Sequence, residues 1–337
     1  MSAASTGSDP VAHGNRRRVV VSDTMHAAGL AVLRARPDID IATYRAGEPG
    51  PAFHAALSEA HGIALSVNPF GPAEVAAAPH LRVVARIGVG YDAVDIPALD
   101  RRRIPLMTTG TANSTSVAEA ALTMMLMLAK RHVRMDAIVR SGDWSKRFAL
   151  PPMEVDGKRV LVIGHGRIGS RTARLCAALG MVVTVHDPYV ADAAITAAGH
   201  AVAPDLDAAL PLADFVTIHC PRSAETVGLF DAARIARMKE GAFLVNTARG
   251  GIVDEAALHA ALQSGRLAGA GLDVFDREPA PRDNPLLSHP GLVFAPHMAG
   301  VTEEALAAMS VATARNILSV LDGAPLRENV INPDVLD

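Results

Sequence analysis

The feature that most constrains the fold of this chain is an alternation, from Arg18 onward, of short β-branched runs with amphipathic stretches. This alternation is typical of βαβ units, in which helices connect parallel strands and cover the sheet. A first series predicts strands at residues 19–21, 39–44, 62–67, 81–87 and 105–108. A second series predicts strands at residues 160–163, 182–186, 200–203, 215–219, 243–247, 268–275 and 292–297. The sequence therefore predicts an α/β protein with two doubly wound parallel sheets, in two domains.

Length, charge and cysteine usage narrow the class of protein. The chain has 337 residues, half of them hydrophobic, and 32 basic against 35 acidic side chains, so we expect two sizeable cores and no nucleic-acid partner. Its longest apolar run, residues 120–129, is far shorter than the roughly 20 residues of a membrane-spanning helix. Cys176 and Cys220 have no metal-ligand spacing and cannot form a disulfide framework. We expect a cytoplasmic, bacterial protein that acts on a small molecule and is not inserted in a membrane. Residues 1–17 lack the apolar core of a secretion signal, and we expect them to form a flexible tail.

A glycine-rich turn, GHGRIG at residues 164–169, joins the strand predicted at 160–163 to an amphipathic helix. Gly164 permits a tight turn, Gly166 lets the backbone approach a pyrophosphate, and Gly169 lets helix and strand pack closely. The free N–H groups at the start of the helix would face that anion. This context predicts a dinucleotide-binding turn; a purely structural glycine turn is the alternative.

A carboxylate stands where such a turn needs one. The next predicted strand ends at Asp187, 23 residues after Gly164, and a carboxylate at this spacing accepts hydrogen bonds from an adenosine ribose. It would repel a 2′-phosphate, and neither Pro188 nor Tyr189 supplies a cation that could bind one. The sequence therefore predicts NAD in preference to NADP.

Three polar side chains, Arg249, Glu278 and His297, stand at or just beyond the ends of strands in the second series. Because ligands of open α/β sheets bind beyond the carboxyl ends of the strands, we expect these side chains to converge. A histidine that moves a proton, an arginine that holds keto-acid oxygens and a carboxylate that orients the imidazole suit the interconversion of a 2-hydroxy acid and a 2-keto acid. Each residue taken alone also has a purely structural explanation. Arg249 could form a surface ion pair, Glu278 could be an exposed carboxylate, and His297 could be buried and bonded to backbone.

Six segments between residues 82 and 333 follow one another in a distinctive order: GVGYD (88–92), SVAE (116–119), GHGRIG (164–169), MKEGAFLVNTARGGIVDEAAL (238–258), GAGLDVFDREP (269–279) and APHMAG (295–300). In this order they resemble the D-isomer-specific 2-hydroxyacid dehydrogenase family. The resemblance implies that His297 is the acid/base, Glu278 its carboxylate partner and Arg249 the substrate-orienting cation. It implies further cofactor contacts from Arg167, Ile168, Cys220, Thr247, Asp273 and Gly300. It implies substrate contacts from Asn68, Val89 and Gly90.

The two series of strands and the helices between and after them set the expected domain organisation. We expect a discontinuous flavodoxin-like substrate domain, residues 18–113 plus 305–337, and a Rossmann NAD-binding domain, residues 114–304, joined by two long helices. A capping box of Ser116 and Glu119 predicts the first helix, from residue 117 to about 132. That helix is apolar nearly all round at its centre, which indicates a subunit interface. We therefore expect a homodimer formed through residues 116–132 and the segment around Trp144.

The substrate is expected to be small and unphosphorylated, of the glyoxylate or hydroxypyruvate type. The loop at residues 66–70 carries no arginine or lysine, and a phosphate group would want a cation there. A phosphoglycerate dehydrogenase without a regulatory domain is the first alternative, since we expect no such domain after Asp337. A non-enzymatic NAD-sensing corepressor, which shares the three polar residues, is the second. Formate dehydrogenases are a poorer match, because they have an amide where this chain has Glu278.

Overall fold

The computed structural model describes residues 16–337, and within it the chain divides into two units. The first unit combines the described residues up to Asn113 with Glu303–Asp337, and the second is Ser114–Thr302. The predicted tail at residues 1–17 lies outside the described residues except for Arg16 and Arg17, and Arg17 already belongs to the first strand. No helix within residues 16–337 combines the length and the apolar character needed to cross a membrane.

The first unit is built on a five-stranded parallel sheet. Its strands are β1 (Arg17–Ser22), β2 (Ile39–Tyr44), β3 (Ala60–Leu65), β4 (Val83–Arg86) and β5 (Leu106–Met107). Its helices in this part of the chain are α1 (Ala27–Arg34), α2 (Pro51–Leu57), α3 (Pro72–Ala77) and α4 (Ile96–Asp100). The strand order β2-β1-β3-β4-β5 is that of flavodoxin-like folds. Successive residues of β1 enter two different apolar cores, Val20 on one face and Val19 and Val21 on the other, as expected for a sheet covered on both faces.

The second unit is built on a seven-stranded parallel sheet. Its strands are β6 (Arg159–Ile163), β7 (Val182–His186), β8 (Ala201–Val202), β9 (Phe215–Ile218), β10 (Ala242–Asn246), β11 (Leu267–Leu272) and β12 (Leu292–Phe294). Its helices are α5 (Ser114–Ala129), α6 (His132–Ser141), α7 (Gly169–Ala178), α8 (Asp192–Ala197), α9 (Leu206–Ala209), α10 (Ala232–Arg237) and α11 (Glu255–Gln263). The order β12-β11-β10-β9-β6-β7-β8 is the Rossmann order with one strand added, and it reverses between β6 and β9, where such folds bind ligands.

The last helix, α12 (Glu303–Leu321), belongs to the first unit although it follows the second in sequence. Its residues Ala314 and Ile317 enter the same core cluster as Val19 of β1. At its contact with α1 the two backbones are close, since a Cβ on Gly29 would lie 2.5 Å from the Ser310 carbonyl oxygen. The chain therefore passes from one unit to the other twice, at the starts of α5 and α12. The predicted fold class, two doubly wound parallel-sheet units, is confirmed.

The start and the end of α5 differ from the prediction. The helix begins at Ser114, so Ser116 lies within its first turn, and the Ser116 hydroxyl is hydrogen-bonded to that of Thr302 at 3.0 Å; the predicted capping box is wrong. The helix ends at Ala129, because Arg131 adopts a left-handed backbone with φ +50° before α6 begins. The buried face of α5 packs on α7 and on β10 to β12. Most of its apolar character is therefore explained within its own unit.

Candidate functional site

The glycine turn between β6 and α7 is folded tightly on itself and open at its centre. Gly164 has φ +89°, and a Cβ there would lie 2.9 Å from the backbone nitrogen of Cys220. A Cβ on Gly169 would lie 1.9 Å from the Gly164 carbonyl oxygen, so both positions require glycine. At Gly166, by contrast, a Cβ would meet nothing within 4 Å. The turn thus presents bare backbone to open space at the N-terminus of α7, as an approaching pyrophosphate requires.

Asp187, directly after β7, joins the glycine turn to the following loop. Its Oδ2 accepts a hydrogen bond from the His165 N–H at 2.7 Å. Its Oδ1 accepts from the N–H groups of Tyr189 at 2.9 Å and Val190 at 3.2 Å. The carboxylate is therefore held at the carboxyl edge of the sheet beside the glycine turn, where a ribose would meet it.

Two further predicted cofactor residues border the strand ends near this turn. Thr247 is buried, and its hydroxyl oxygen has no hydrogen-bond partner among the described residues. Cys220 follows β9 beside Gly164, and burial raises the pKa of its thiol to about 11, so the thiol stays neutral and forms a wall. A glycine cradle, an orphaned hydroxyl and a carboxylate beside the glycine turn together fit a dinucleotide. Arg167 is exposed and Ile168 half-buried between the glycines, and half-buried Gly300 lies on the loop after β12.

Arg249 lies on a short turn after β10 that is held by the side chain of Asn246. The Asn246 Oδ1 accepts from the Ala248 N–H at 3.0 Å, and its Nδ2 donates to the Arg249 carbonyl at 2.8 Å. The Arg249 guanidinium donates to the Ala248 carbonyl at 2.7 Å. The turn that carries the arginine is therefore a hydrogen-bonded unit whose conformation follows from its own sequence.

Glu278 and His297 meet directly. The loops that carry them follow the adjacent strands β11 and β12, and the His297 Nδ1 lies 2.6 Å from Glu278 Oε2. The other carboxylate oxygen, Oε1, accepts from the Phe275 N–H at 3.0 Å. The His297 side chain is 50% exposed, so the alternative of a buried histidine bonded to backbone does not describe it. The contact turns Nδ1 towards the carboxylate and leaves Nε2 as the atom that can reach a substrate.

His297 has a left-handed backbone, with φ +57°, which is uncommon for residues other than glycine. Its N–H donates to the Asp273 carbonyl at 2.8 Å. The Asp273 carboxylate accepts from the next two N–H groups, of Met298 at 2.7 Å and Ala299 at 2.9 Å. Asp273 is buried, and burial raises its pKa while these two N–H donors lower it. Asp273 thus holds the histidine loop, a bonding pattern that sequence reasoning did not anticipate.

The predicted substrate contacts of the first unit lie at the carboxyl edge of its own sheet. Asn68 is buried, and its Oδ1 accepts from the Gly47 N–H at 2.7 Å. Val89 and Gly90 are half-buried on the loop after β4. Arg86, which sequence reasoning missed, ends β4 and donates to the carbonyls of Gly90 at 2.7 Å and Leu65 at 3.0 Å. A cation therefore lies beside the loop at residues 66–70, although that loop carries none itself.

Residues 16–337 contain no cluster of three or more His, Cys, Asp or Glu side chains placed to hold a metal ion.

Among the residues of the site that were not predicted, Asn246 is one whose role has a signal in the sequence. Asn246 ends an apolar strand and is followed by a turn, and asparagine at such a position often forms a hydrogen bond with the backbone two residues further on.

Comparison with known proteins identifies relatives of both units. The family model described as D-isomer specific 2-hydroxyacid dehydrogenase, NAD binding domain, matches residues 122–299. A D-3-phosphoglycerate dehydrogenase of Archaeoglobus fulgidus is 38% identical over 261 residues, which are 77% of this chain and 49% of that protein. A glyoxylate reductase of Thermofilum pendens is 37% identical over 263 residues, which are 77% of each chain. The solved structure of the TT0316 protein from Thermus thermophilus has a TM-score of 0.85 and 32% identity over 93% of this chain and 99% of that one. This chain spans about half the length of the curated phosphoglycerate dehydrogenases that it matches.

Proposed function

We propose, from the premise that this chain belongs to the D-isomer-specific 2-hydroxyacid dehydrogenase family, that it is an NAD-dependent oxidoreductase interconverting a D-2-hydroxy acid and its 2-keto acid. The observation that carries the proposal is the 2.6 Å contact between His297 and Glu278. The loop of Glu278 follows β11, which lies between β12, the strand before His297, and β10, the strand before Arg249. A histidine oriented by a carboxylate is an acid/base pair, which supports an enzyme. The sensing alternative shares these residues, so turnover is what separates the two.

In the proposed mechanism His297 moves the proton and Arg249 holds the substrate. The Glu278 carboxylate orients the imidazole through Nδ1, so that Nε2 can donate a proton to the keto oxygen. The Arg249 guanidinium binds the carboxylate and keto oxygens by charge-assisted hydrogen bonds. Bound NADH would supply the hydride. In the reverse direction the neutral imidazole takes the proton from the hydroxyl group.

The cofactor is proposed to be NAD in preference to NADP. Asp187 supports this preference, because its carboxylate stands where a 2′-phosphate would bring a second negative charge. The hydroxyl of Tyr189, on the next loop, donates to the carboxylate of Glu225, which adds an acidic side chain to the same region. Neither residue offers a cation to a phosphate group.

The substrate is proposed to be a small unphosphorylated acid, with glyoxylate and hydroxypyruvate as the leading candidates. The loop at residues 66–70 carries no arginine or lysine that would hold a phosphate group, and the glyoxylate reductase of Thermofilum pendens is a relative 37% identical over 77% of both chains. The phosphorylated alternative has some support in Arg86, a cation beside the loop at residues 66–70, where its guanidinium donates to the carbonyl of Leu65.

A panel of 2-keto acids tests function, substrate and cofactor together. We expect the protein to oxidise NADH with glyoxylate or hydroxypyruvate, followed at 340 nm, with kcat/KM at least about tenfold higher than with 3-phosphohydroxypyruvate, because one missing charge-assisted contact costs about that much. NADPH is expected to be at least tenfold poorer than NADH for the same electrostatic reason. A protein that binds NADH but turns over no keto acid would favour the sensing alternative, and a preference for the phosphorylated acid would favour phosphoglycerate dehydrogenase.

We also propose that two copies associate through α5 and the segment around Trp144. The support lies mainly after α5, where Val139, Trp144 and Phe148 are 57%, 57% and 76% exposed. Large apolar side chains exposed in one short segment are typical of an interaction surface. A second copy of the chain is the simplest occupant, because two-fold pairing covers the same segment on both molecules.

The dimer is tested by placing a charge in this segment. We expect the wild-type protein to run, by light scattering after gel filtration, at twice the 35.1 kDa of one chain, and Phe148→Asp to run as a monomer because the interface would bury an unpaired carboxylate. Leu212→Asp is the matched control, since Leu212 is also 58% exposed in the second unit but lies on the turn before β9, outside the proposed interface segments. A monomeric wild-type protein would contradict the proposal.

A further inference from the structure

We infer that Asn246 is a positioning residue for substrate binding, which acts by clamping the turn that carries Arg249. This inference rests on the proposed function, in which Arg249 holds the keto acid. Asn246 is 2% exposed, and its side chain lies beneath the turn. It would act only through the backbone that it holds.

Both ends of the Asn246 amide are used. The oxygen accepts from the Ala248 N–H at 3.0 Å, and the nitrogen donates to the Arg249 carbonyl at 2.8 Å. One side chain therefore bonds the main chain at the two successive residues that determine where the Arg249 Cα lies. An aspartate would lose the donor, and an alanine would lose both contacts.

The strand beneath makes Asn246 a rigid anchor for this clamp. Its backbone is paired with Ile218 of β9 and with Leu272 of β11. Its carbonyl accepts from the Asp273 N–H at 3.0 Å. The clamp thus starts from a strand inside the sheet. The same residue is bonded to Asp273, whose carboxylate holds the histidine loop.

The chain that follows Arg249 is also fixed, so the side held by Asn246 is the side that can move when its contacts are lost. A Cβ on Gly250 would lie 1.9 Å from the Phe275 carbonyl oxygen, so this stretch of chain lies against the loop that leads to Glu278. The Gly251 N–H donates to Asp276 Oδ1 at 2.6 Å. With the far side pinned to the Glu278 loop, loss of the clamp would change the position of Arg249 relative to Glu278 and His297.

The expected effect is a loss of substrate binding that leaves the coenzyme site intact. In Asn246→Ala we expect the KM for glyoxylate to rise about 10- to 100-fold, since a displacement of a substrate-holding group by about 1 Å is worth that much. We expect the rise in KM to exceed the fall in kcat, and the Kd for NADH, from its fluorescence, to stay within twofold of wild type. If Asn246→Ala does not fold, Asn246→Asp keeps the acceptor for Ala248 and tests the donor alone.

Asn332→Ala is the matched control. The amide of Asn332, in the first unit, clamps backbone in the same manner, with Oδ1 accepting from the Leu106 N–H at 2.8 Å and Nδ2 donating to the Ile104 carbonyl at 3.1 Å. We expect it to lower the melting temperature without changing the KM for glyoxylate. A lowered melting temperature with unchanged KM in Asn246→Ala as well would show a merely structural role and overturn the inference.

A double-mutant cycle shows whether Asn246 acts through the arginine. In an Arg249→Lys background, Asn246→Ala is expected to change the KM by no more than twofold, because the group that it positions is already replaced. Full additivity of the two substitutions would overturn the inference.

A measurement without turnover separates this inference from the proposed function. Hydrogen exchange of the peptide that contains Ala248 is expected to quicken in Asn246→Ala, and unchanged exchange would refute the clamp. If the wild-type protein reduces no keto acid, the proposed function fails while the clamp is still tested by exchange. If it reduces glyoxylate and the variant keeps the wild-type KM, only the inference fails.

Discussion

Replacing His297 by alanine is expected to lower kcat for keto-acid reduction by about 10³-fold, within the 10²- to 10⁴-fold range for loss of a general acid. The Kd for NADH should stay within twofold, because the glycine turn and Asp187 lie on other strands of the sheet. Single-turnover kinetics and NADH fluorescence measure the two quantities separately. An equal loss of turnover and of coenzyme binding would refute the assigned role.

The left-handed backbone at His297 calls for a second variant. Asparagine adopts this conformation more readily than other non-glycine residues, so His297→Asn should keep the loop folded while it removes the proton donor. We expect it to be as inactive as the alanine variant. His259→Ala, which removes a histidine of α11 in the same unit, is the control and should keep wild-type turnover. Recovery of activity in His297→Asn would show that the histidine shapes the loop and does not carry the proton.

The second large effect is expected at Gly169. A methyl group there would lie 1.9 Å from the Gly164 carbonyl oxygen, so Gly169→Ala must displace backbone in the tightest part of the turn. Overpacking of this kind costs up to about 3 kcal/mol, which lowers the melting temperature of a unit of this size by roughly 6–12 °C. We expect the loss of stability, seen by calorimetry, to be accompanied by loss of NADH binding, because the turn can no longer form.

Gly166→Ala is the counterpart in the same turn. Neither Gly166 nor Gly169 has a positive φ, so backbone strain does not distinguish them. A Cβ on Gly166 meets no atom within 4 Å, and we expect the melting temperature to stay within about 2 °C. The methyl group would occupy the space through which a pyrophosphate approaches, so the Kd for NADH should rise at least about tenfold. Unchanged NADH binding in Gly166→Ala would remove the anion-binding role from this turn.

The sheets could be predicted from the sequence because parallel strands leave a strong signal. Strands buried on both faces read as continuous apolar runs bounded by turns, and a strand of the structure lies at each of the twelve predicted positions. The helices were predicted less completely than the strands, because most of them have ten residues or fewer and carry little helical periodicity. Strand ends were also misjudged: β12 was predicted to reach residue 297 and ends at Phe294, because the left-handed backbone of His297 turns the chain away.

Much less of the site could be predicted. The residue types of Arg249, Glu278 and His297, and their places near strand ends, could be inferred from the rule for ligand sites in parallel sheets. The bonds of the Asp273 carboxylate could not, because they depend on the path of a loop whose conformation no local pattern encodes. The same is true of Arg86, whose side chain reaches two carbonyls on neighbouring segments. The bonds of Asn246 had only one signal, an asparagine at the end of a strand. The roles of these residues stay predictions until the variants are measured.

The late position of α12 has a consequence for biosynthesis. The sheet that this helix packs on lies before residue 114 of the chain, and the helix itself is synthesised only after the 114–302 segment. At ribosomal speeds of about 5–20 residues per second, that interval is roughly 10 to 40 s. During it the apolar side chains of Val19, Val21 and Val83 lack the α12 part of their core cluster, which Ala314 and Ile317 supply later. The segment synthesised second can therefore mature first, and the nascent part before residue 114 is the part expected to need chaperone protection.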